Sequence, residues 1–342
     1  MRYELLSKVK ELILKIISEN PDGVPQSSIH KTLGISKSRA SEILRELERL
    51  GVIVRIKIGN QYIVKATKYI KGESLTPSKV LRLGIVWSSE YPFITPFAKM
   101  VKERLNMSLE VIVYPNALSA TWSLVRGDVD LVLSPLITQL YAYSLTKSLK
   151  IIGGGAYGGS LILENTKCKG DDVASSELSA MDACRAIASK EVIGVVGKTY
   201  YFSNPQRDVV KFYREGRIKY FVIWHPLTEK LMSLGLKKIA SCSDLGINYC
   251  CTLASSIKLD WNLRAKISNI YQESINEFLK SPEKWLEWYS LRVGIPIDIL
   301  RRGIKMYGFR PYLNKTLIRE MLNKVGINLP SPDVLNEALE LH

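Results

Sequence analysis

Apolar residues recur at helical spacing at Leu5, Leu6, Val9, Leu12, Ile13, Ile16 and Ile17, so the chain opens with an amphipathic helix. A short helix follows over 26–33, stopped by Gly34, and Ser36 stands where an N-cap opens a third helix. In that helix Ala40, Ile43, Leu44, Leu47 and Leu50 form one stripe, with Ser38, Ser41, Glu42, Arg45 and Arg49 on the opposite face and Gly51 at the end. The period then changes to two. Val52, Val54, Ile56 and Ile58 alternate with Ile53, Arg55 and Lys57, and Gly59-Asn60 supplies a hairpin turn before 61–64 return, so the basic residues are expected to point outward. Residues 71–79 carry turn formers and no apolar period, and read as a linker between 1–70 and 80–342. Beyond it, apolar runs at 81–86, 109–114, 131–134 and 150–152 alternate with helical stretches within 93–105, 120–126 and 137–145. Gly153-Gly154-Gly155 reads as a turn that closes this set. A second set holds a strand at 191–196, a helix at 205–214 and a strand at 220–224. Such alternation predicts an α/β fold with a parallel sheet, and two sets with a crossing between them predict two lobes and a cleft.

The order helix, helix, helix, hairpin over about residues 3–68 resembles the MarR-like winged helix-turn-helix regulators of bacteria and archaea. That resemblance implies double-stranded DNA as a partner. Its contacts would come from Ser36, Lys37, Ser38, Arg39, Ser41, Glu42, Arg45 and Arg49 on the third helix, and from Arg55 and Lys57 on the wing. Charge agrees, because residues 1–80 hold fifteen Lys and Arg against eight Asp and Glu. A winged helix also serves as a protein-interaction module, and a basic helix face can be a merely solvated one. The whole chain of 342 residues has a net charge of +15 and a pI near 9.4, with room for two cores. No run of eighteen apolar residues and no signal-peptide core occur, so a cytoplasmic protein without membrane contact is expected. Cys168, Cys184, Cys242, Cys250 and Cys251 are odd in number and lack CxxC spacing, which points to neither a disulfide framework nor a zinc finger.

The runs LRLGIVW, LVRGDVDLVLSP, KIIGGGAYGGSLILE and FVIWHPLTEKLMSLG, with a helical tail over 263–326, resemble the type II periplasmic-binding-protein fold. Within it they are similar to the group that binds sulfonates, nitrate or thiamine-pyrimidine precursors. In an open sheet of this kind ligands sit outside the carboxyl ends of the strands. Those ends carry Trp87, Tyr91, Asn116, Ser134, Tyr157, Lys198, Thr199, Trp224 and His225, the expected contacts of a small-molecule effector. Trp87 and Trp224 also suit a core, and Gly197-Lys198-Thr199 suits an anion if a helix starts just after it. Gly153 to Gly155 lack dinucleotide-binding spacing and are expected to make a tight crossing between lobes.

One relative of that group, the Thi5-like pyrimidine synthase, is a catalyst, and the resemblance places Cys250-Cys251 near its cysteine-rich segment. It also places Ser134 where the cofactor lysine would be and Thr138 where the histidine would be, so the pyridoxal chemistry has no carrier here. Cys250 and Cys251, being adjacent, are expected on opposite faces of a strand, where they do not easily share one metal. They read as buried small residues, with a redox thiol as the alternative. No catalytic residue, cofactor or metal is therefore expected. The resulting expectation is a one-component, homodimeric transcription regulator that binds an effector between two lobes. The alternative is a Thi5-like thiamine-precursor enzyme or binding protein with an appended winged helix.

Overall fold

Ser36 caps its helix by accepting a hydrogen bond at Oγ from the Arg39 N–H, 3.2 Å away, and the apolar stripe behind it builds the first core. In the computed structural model, residues 9–10, 12–17, 19–20, 23–49, 53–58, 61–66, 79–194, 196–327, 329–331 and 333–341 are described. They fall into two compact units, 1–79 and 80–342. Leu5 and Leu6, Leu50, Gly51, Val52, the Gly59-Asn60 turn, linker residues 71–78, and the side chains of Arg49, Ile56, Lys57 and Ile58 lie outside what is described.

The first unit contains helix α1 (12–17), strand β1 (Val24–Pro25), α2 (Gln26–Thr32), α3 (Lys37–Arg49), β2 (Ile53–Ile58) and β3 (Gln61–Ala66). The strands form an antiparallel sheet in the order β1-β3-β2, with Val24 opposite Val64 and Ile53 opposite Ala66. Ile13, Ile17, Ile29, Ile43, Leu44, Leu47, Ile53 and Val64 close its core. Two expectations are corrected. Leu12 is exposed although the stripe included it, and in the hairpin Ile53 faces the core while Val54 faces out. A one-residue change of face swaps the whole alternating set. Arg55 accordingly does not point outward. It lies against α3, its Nε 2.9 Å from the Glu48 carboxylate, and holds that carboxyl below its usual pKa through this hydrogen bond.

The second unit begins with β4 (Lys79–Val86), α4 (Ile94–Leu105), β5 (Met107–Tyr114), α5 (Ala117–Arg126), β6 (Leu131–Pro135), α6 (Leu136–Thr146) and β7 (Leu149–Gly158). It crosses to β8 (Ser160–Glu164), β9 (Asp172–Ser175), α7 (Ala180–Glu191), β10 (Thr199–Tyr201), α8 (Pro205–Glu215), β11 (Ile218–Trp224), α9 (Leu227–Ser233) and β12 (Lys237–Ser241). The return leads through β13 (Cys251–Ser256), α10 (Trp261–Lys280), α11 (Leu286–Val293), α12 (Ile297–Ile304), β14 (Tyr307–Arg310), α13 (Lys315–Val325) and α14 (Asp333–Ala338). One lobe is built on the sheet β14-β7-β13-β6-β4-β5 and the other on β10-β9-β11-β8-β12.

Both sheets are mixed, where the sequence pattern predicts a parallel one. β4 and β6 run parallel and end at the cleft, but β13 enters from the other lobe at the cleft and must run away from it, antiparallel to β6 and β7. The crossing lies at Gly158-Gly159, whose φ values of 88° and 66° favour glycine. Gly153 to Gly155 sit inside β7 instead. A Cβ on Gly154 would lie 2.0 Å from the Arg310 carbonyl oxygen, so these glycines serve close approach of β14, β13 and α10 and make no turn. The strand expected at 191–196 is also absent from the described residues there. Ser179 caps α7 by accepting from the Met181 N–H, and the small apolar residues of 180–191 bury one face of a helix. Contrary to the cysteine reading, Cys184 on α7 and Cys242 after β12 form a disulfide, with Cα atoms 5.5 Å apart and 58 residues apart in sequence. No described helix is long and apolar enough to cross a membrane.

Candidate functional site

After β4 the segment Trp87-Ser88-Ser89-Glu90-Tyr91 turns under the cleft, held by its own backbone. The Tyr114 carbonyl accepts from the Trp87 N–H at 3.1 Å, and the Ser88 carbonyl accepts from the Tyr289 hydroxyl at 2.5 Å. Trp224, at the end of β11 in the other lobe, donates its indole N–H to the Trp87 carbonyl at 3.0 Å, tying the lobes together behind the cleft. Between them lies a small cavity of about 30 Å³, room for about two waters. Val86, Glu90, Tyr91, Pro135, Cys250 and Cys251 line it from one lobe, and Ser176, Ser179, Ala180, Met181 and Trp224 from the other. No Lys, Arg or His belongs to this lining among the described residues.

Glu90 is the unusual member. It is 4 % exposed, its Oε1 accepts no hydrogen bond, and burial pushes its carboxyl up to about 8. Cys250 and Cys251 stand beside it, with sulfurs 3.8 Å apart, and the Tyr91 hydroxyl donates to the Cys251 sulfur at 2.9 Å. This corrects the expectation of opposed thiols. Cys250 precedes β13 and Cys251 is its first residue, so the strict alternation of a strand interior does not apply. Burial pushes the Cys251 thiol and the Tyr91 phenol well up. These are protonated, poorly nucleophilic groups at neutral pH.

Of the nine residues singled out from sequence for the ligand, Tyr91 and Trp224 line the cavity. Trp87 donates its indole N–H to the Val293 carbonyl at 2.9 Å and lines an outer groove with Arg207 and Glu229. Asn116 caps α5 and reaches across the cleft, its Nδ2 2.8 Å from the Ser203 carbonyl. Ser134 is buried, accepting from Thr121 at 2.8 Å and from Gln139 at 3.1 Å, and Thr138 donates to the Leu178 carbonyl. Tyr157 lies under the Arg310 guanidinium, 4.7 Å from the ring centroid. The Lys198 N–H donates to Asp172 at 2.8 Å, and Thr199 opens β10, so no helix begins there to hold an anion. His225 is fully buried between Ser89 and Glu229. Sequence reasoning does not single out Glu90, Ser176, Ser179 or Met181, and it reads Cys250 and Cys251 as buried small residues or a redox thiol rather than as part of the site. The available signals were the strand-end position of Glu90 and a Cys pair at the start of a strand rather than within one.

On the first unit Ser36, Lys37, Ser38, Glu42 and Arg45 are exposed on one side of α3, with Arg39 and Ser41 half-buried. Arg39 pairs with Glu42 at 2.7 Å.

Residues 5–67 match a family described as a domain of unknown function, DUF7343. An uncharacterised protein of Pyrococcus abyssi (strain GE5 / Orsay) is 34% identical over 68 residues, 20% of this chain and 20% of that protein, so the chain spans about a fifth of the curated relative's length. Among solved structures, the alkanesulfonate-binding protein SsuA of Xanthomonas axonopodis pv. citri, bound to MOPS, superposes with a TM-score of 0.61 at 16% identity, covering 76% of this chain and 98% of its own. The periplasmic aliphatic sulphonate-binding SsuA of Escherichia coli gives 0.61 at 14%, covering 77% and 92%. The periplasmic nitrate-binding protein NrtA of Synechocystis PCC 6803 gives 0.61 at 12%, covering 77% and 86%. At these identities the likeness concerns the fold: the second unit is a two-lobed, periplasmic-binding-protein-like α/β domain.

Proposed function

We propose that this chain is a ligand-responsive, DNA-binding transcription regulator of the cytoplasm, working as a homodimer and not as an enzyme. The observation that carries the DNA reading is α3. Its apolar side is closed by Ile43, Leu44 and Leu47, while Lys37, Ser38 and Arg45 stand exposed on one side from a capped N-terminus, as a helix that enters a major groove requires. The first unit is read as a MarR-like winged helix, and Arg45 as a direct contact to bases or phosphates. The second unit is read as the sensor. Its cavity holds only a few atoms as it stands, so a larger effector enters with the lobes apart and leaves them closed around it. With no basic side chain in the described lining, a sulfonate- or nitrate-like effector would rely on Ser88, Ser176, Ser179 and the start of α7, and a partly apolar thiamine-precursor-like molecule fits Trp224 and Met181 better. The high thiol and phenol pKa values favour binding over catalysis.

The test is a mobility shift with duplex from the gene's own upstream region, repeated across salt concentrations. Binding should weaken steeply with salt, and Arg45→Ala should weaken it about tenfold or more without changing the thermal melt. A chain that shifts no duplex at low salt would refute the reading.

A further inference from the structure

The cleft floor brings together one carboxylate oxygen of Glu90 and the sulfurs of Cys250 and Cys251, all within 4.8 Å of one another and all buried. The two sulfurs already have the spacing of a coordination sphere, and the carboxylate oxygen lies near it. Two thiolates at about 2.3 Å from a tetrahedral Zn²⁺ lie about 3.8 Å apart, and the two sulfurs are 3.8 Å apart already. A carboxylate oxygen in the same sphere lies about 3.5 Å from each sulfur, a shift of about 1 Å for the end of the Glu90 side chain. Glu90 lines the cavity, and its Oε1 atom is buried without a hydrogen-bond partner, so a cation supplies what the protein does not. Around the triad the surroundings suit a metal. The Tyr91 hydroxyl, 2.9 Å from the Cys251 sulfur, is the outer donor that orients and steadies a bound thiolate. Val86, Pro135 and Met181 add apolar wall beside it, which limits the access of solvent.

We propose that Glu90, Cys250 and Cys251 bind one thiophilic divalent cation of the Zn²⁺ class, leaving a fourth position open to the cavity. Starting from two thiols and a carboxylic acid, loading releases three protons and leaves the centre with one net negative charge. The fourth ligand is then a neutral donor, either water or a nitrogen or oxygen atom of the cleft's small molecule. Three protein ligands with one open position is the arrangement in which zinc takes an exogenous partner rather than a purely structural role. The site lies in the cleft that the regulator reading uses for its effector, but cation binding itself requires neither DNA nor an organic ligand.

The full-length chain, handled without oxygen or added reductant so that the Cys184–Cys242 disulfide stays closed, is stripped with chelator and titrated with Co²⁺ and then with Zn²⁺. One Co²⁺ per chain should produce thiolate-to-cobalt absorption in the near ultraviolet and the intense visible bands of four-coordinate cobalt, and one equivalent of Zn²⁺ should bleach both. In competition with a chromophoric chelator, Cys250→Ser and Cys251→Ser should each weaken Zn²⁺ binding about a hundredfold and Glu90→Gln about tenfold, while Cys168→Ser leaves it unchanged. Should a cysteine variant melt early, the cobalt spectrum of the unaltered protein decides alone. Absence of the thiolate absorption, or unchanged Zn²⁺ affinity in the Cys250→Ser/Cys251→Ser double variant, overturns the proposal. The readout is taken without DNA, so a failed cobalt titration leaves the mobility-shift result standing, and a failed mobility shift leaves the cation site standing.

Discussion

Glu229 on α9 joins three elements, and replacing it tests how much they depend on its charge. Its carboxylate receives Arg302 of α12 through Nε and Nη2, both at 2.9 Å, and lies 2.9 Å from Nε2 of the fully buried His225. Burial lowers the His225 pKa, so the ring is neutral at pH 7. The partners then assign its proton: Nε2–H donates to Glu229, and Nδ1 accepts from the Ser89 hydroxyl 2.5 Å away. The Arg302 hydrogen bonds, followed by that of His225, hold the Glu229 carboxyl down to about 2 from an ordinary 4.5. A carboxyl with a depressed folded pKa contributes stability that is complete above pH 4.5 and is lost as pH falls toward 2. The full shift corresponds to about 3 kcal/mol, but the side chain is 33% exposed and solvent screening reduces this to about 1–2 kcal/mol. Glu229→Gln keeps the shape and an oxygen acceptor for His225 while removing the charge. It should therefore cost about 1–2 kcal/mol at pH 7, and the gap from the unaltered protein should narrow steadily from pH 4.5 toward pH 2. Urea unfolding followed by tryptophan fluorescence reads the second unit alone, because Trp87, Trp122, Trp224, Trp261, Trp285 and Trp288 all lie beyond residue 80. A double-mutant cycle with Arg302→Met should show coupling of about 1 kcal/mol. A gap that is constant with pH, or strictly additive variants, would refute the assignment of the low pKa to this ion pair.

The disulfide makes a further claim. Closing a 58-residue loop with Cys184–Cys242 is worth about 4 kcal/mol on the chain-entropy account, so reductant should lower the melting temperature of the unaltered protein and leave that of Cys184→Ser unchanged. Equal melting with and without reductant would show that the bond does not form or does not matter. Gly154→Ala should destabilise the second unit by about 2 kcal/mol or more, since its Cβ would meet the Arg310 carbonyl oxygen at 2.0 Å. Gly216→Ala, with no atom within 4 Å but a φ of +71°, should cost only about 1 kcal/mol; urea midpoints that fail to rank the two in this order would sink the close-approach argument.

Local order was legible in the sequence wherever it depends on neighbours along the chain. The apolar stripe of α3, its cap at Ser36, the alternation through Ile53 and Val54, and the strand-helix repeats from Val80 follow from periodicity, and they carried the two-lobed fold of the second unit. What the sequence left open, or led astray, depended on which distant segments meet. The same period of two permits either face of β2 to be buried, and the packing of Ile53 into the core turns Arg55 inward, where Glu48 on α3 receives it. A run of three glycines reads as a turn until the backbones of β13 and β14 are seen to need that space. The pairing of Cys184 with Cys242 and the meeting of Glu90 with Cys250 and Cys251 each join residues dozens to more than a hundred positions apart. Helix and strand periods are set by short-range sterics and are written in order along the chain. Proximity across a sheet or a cleft is set by the topology that returns β13 to the cleft, and only the folded structure brings a buried carboxylate and two thiols to one point.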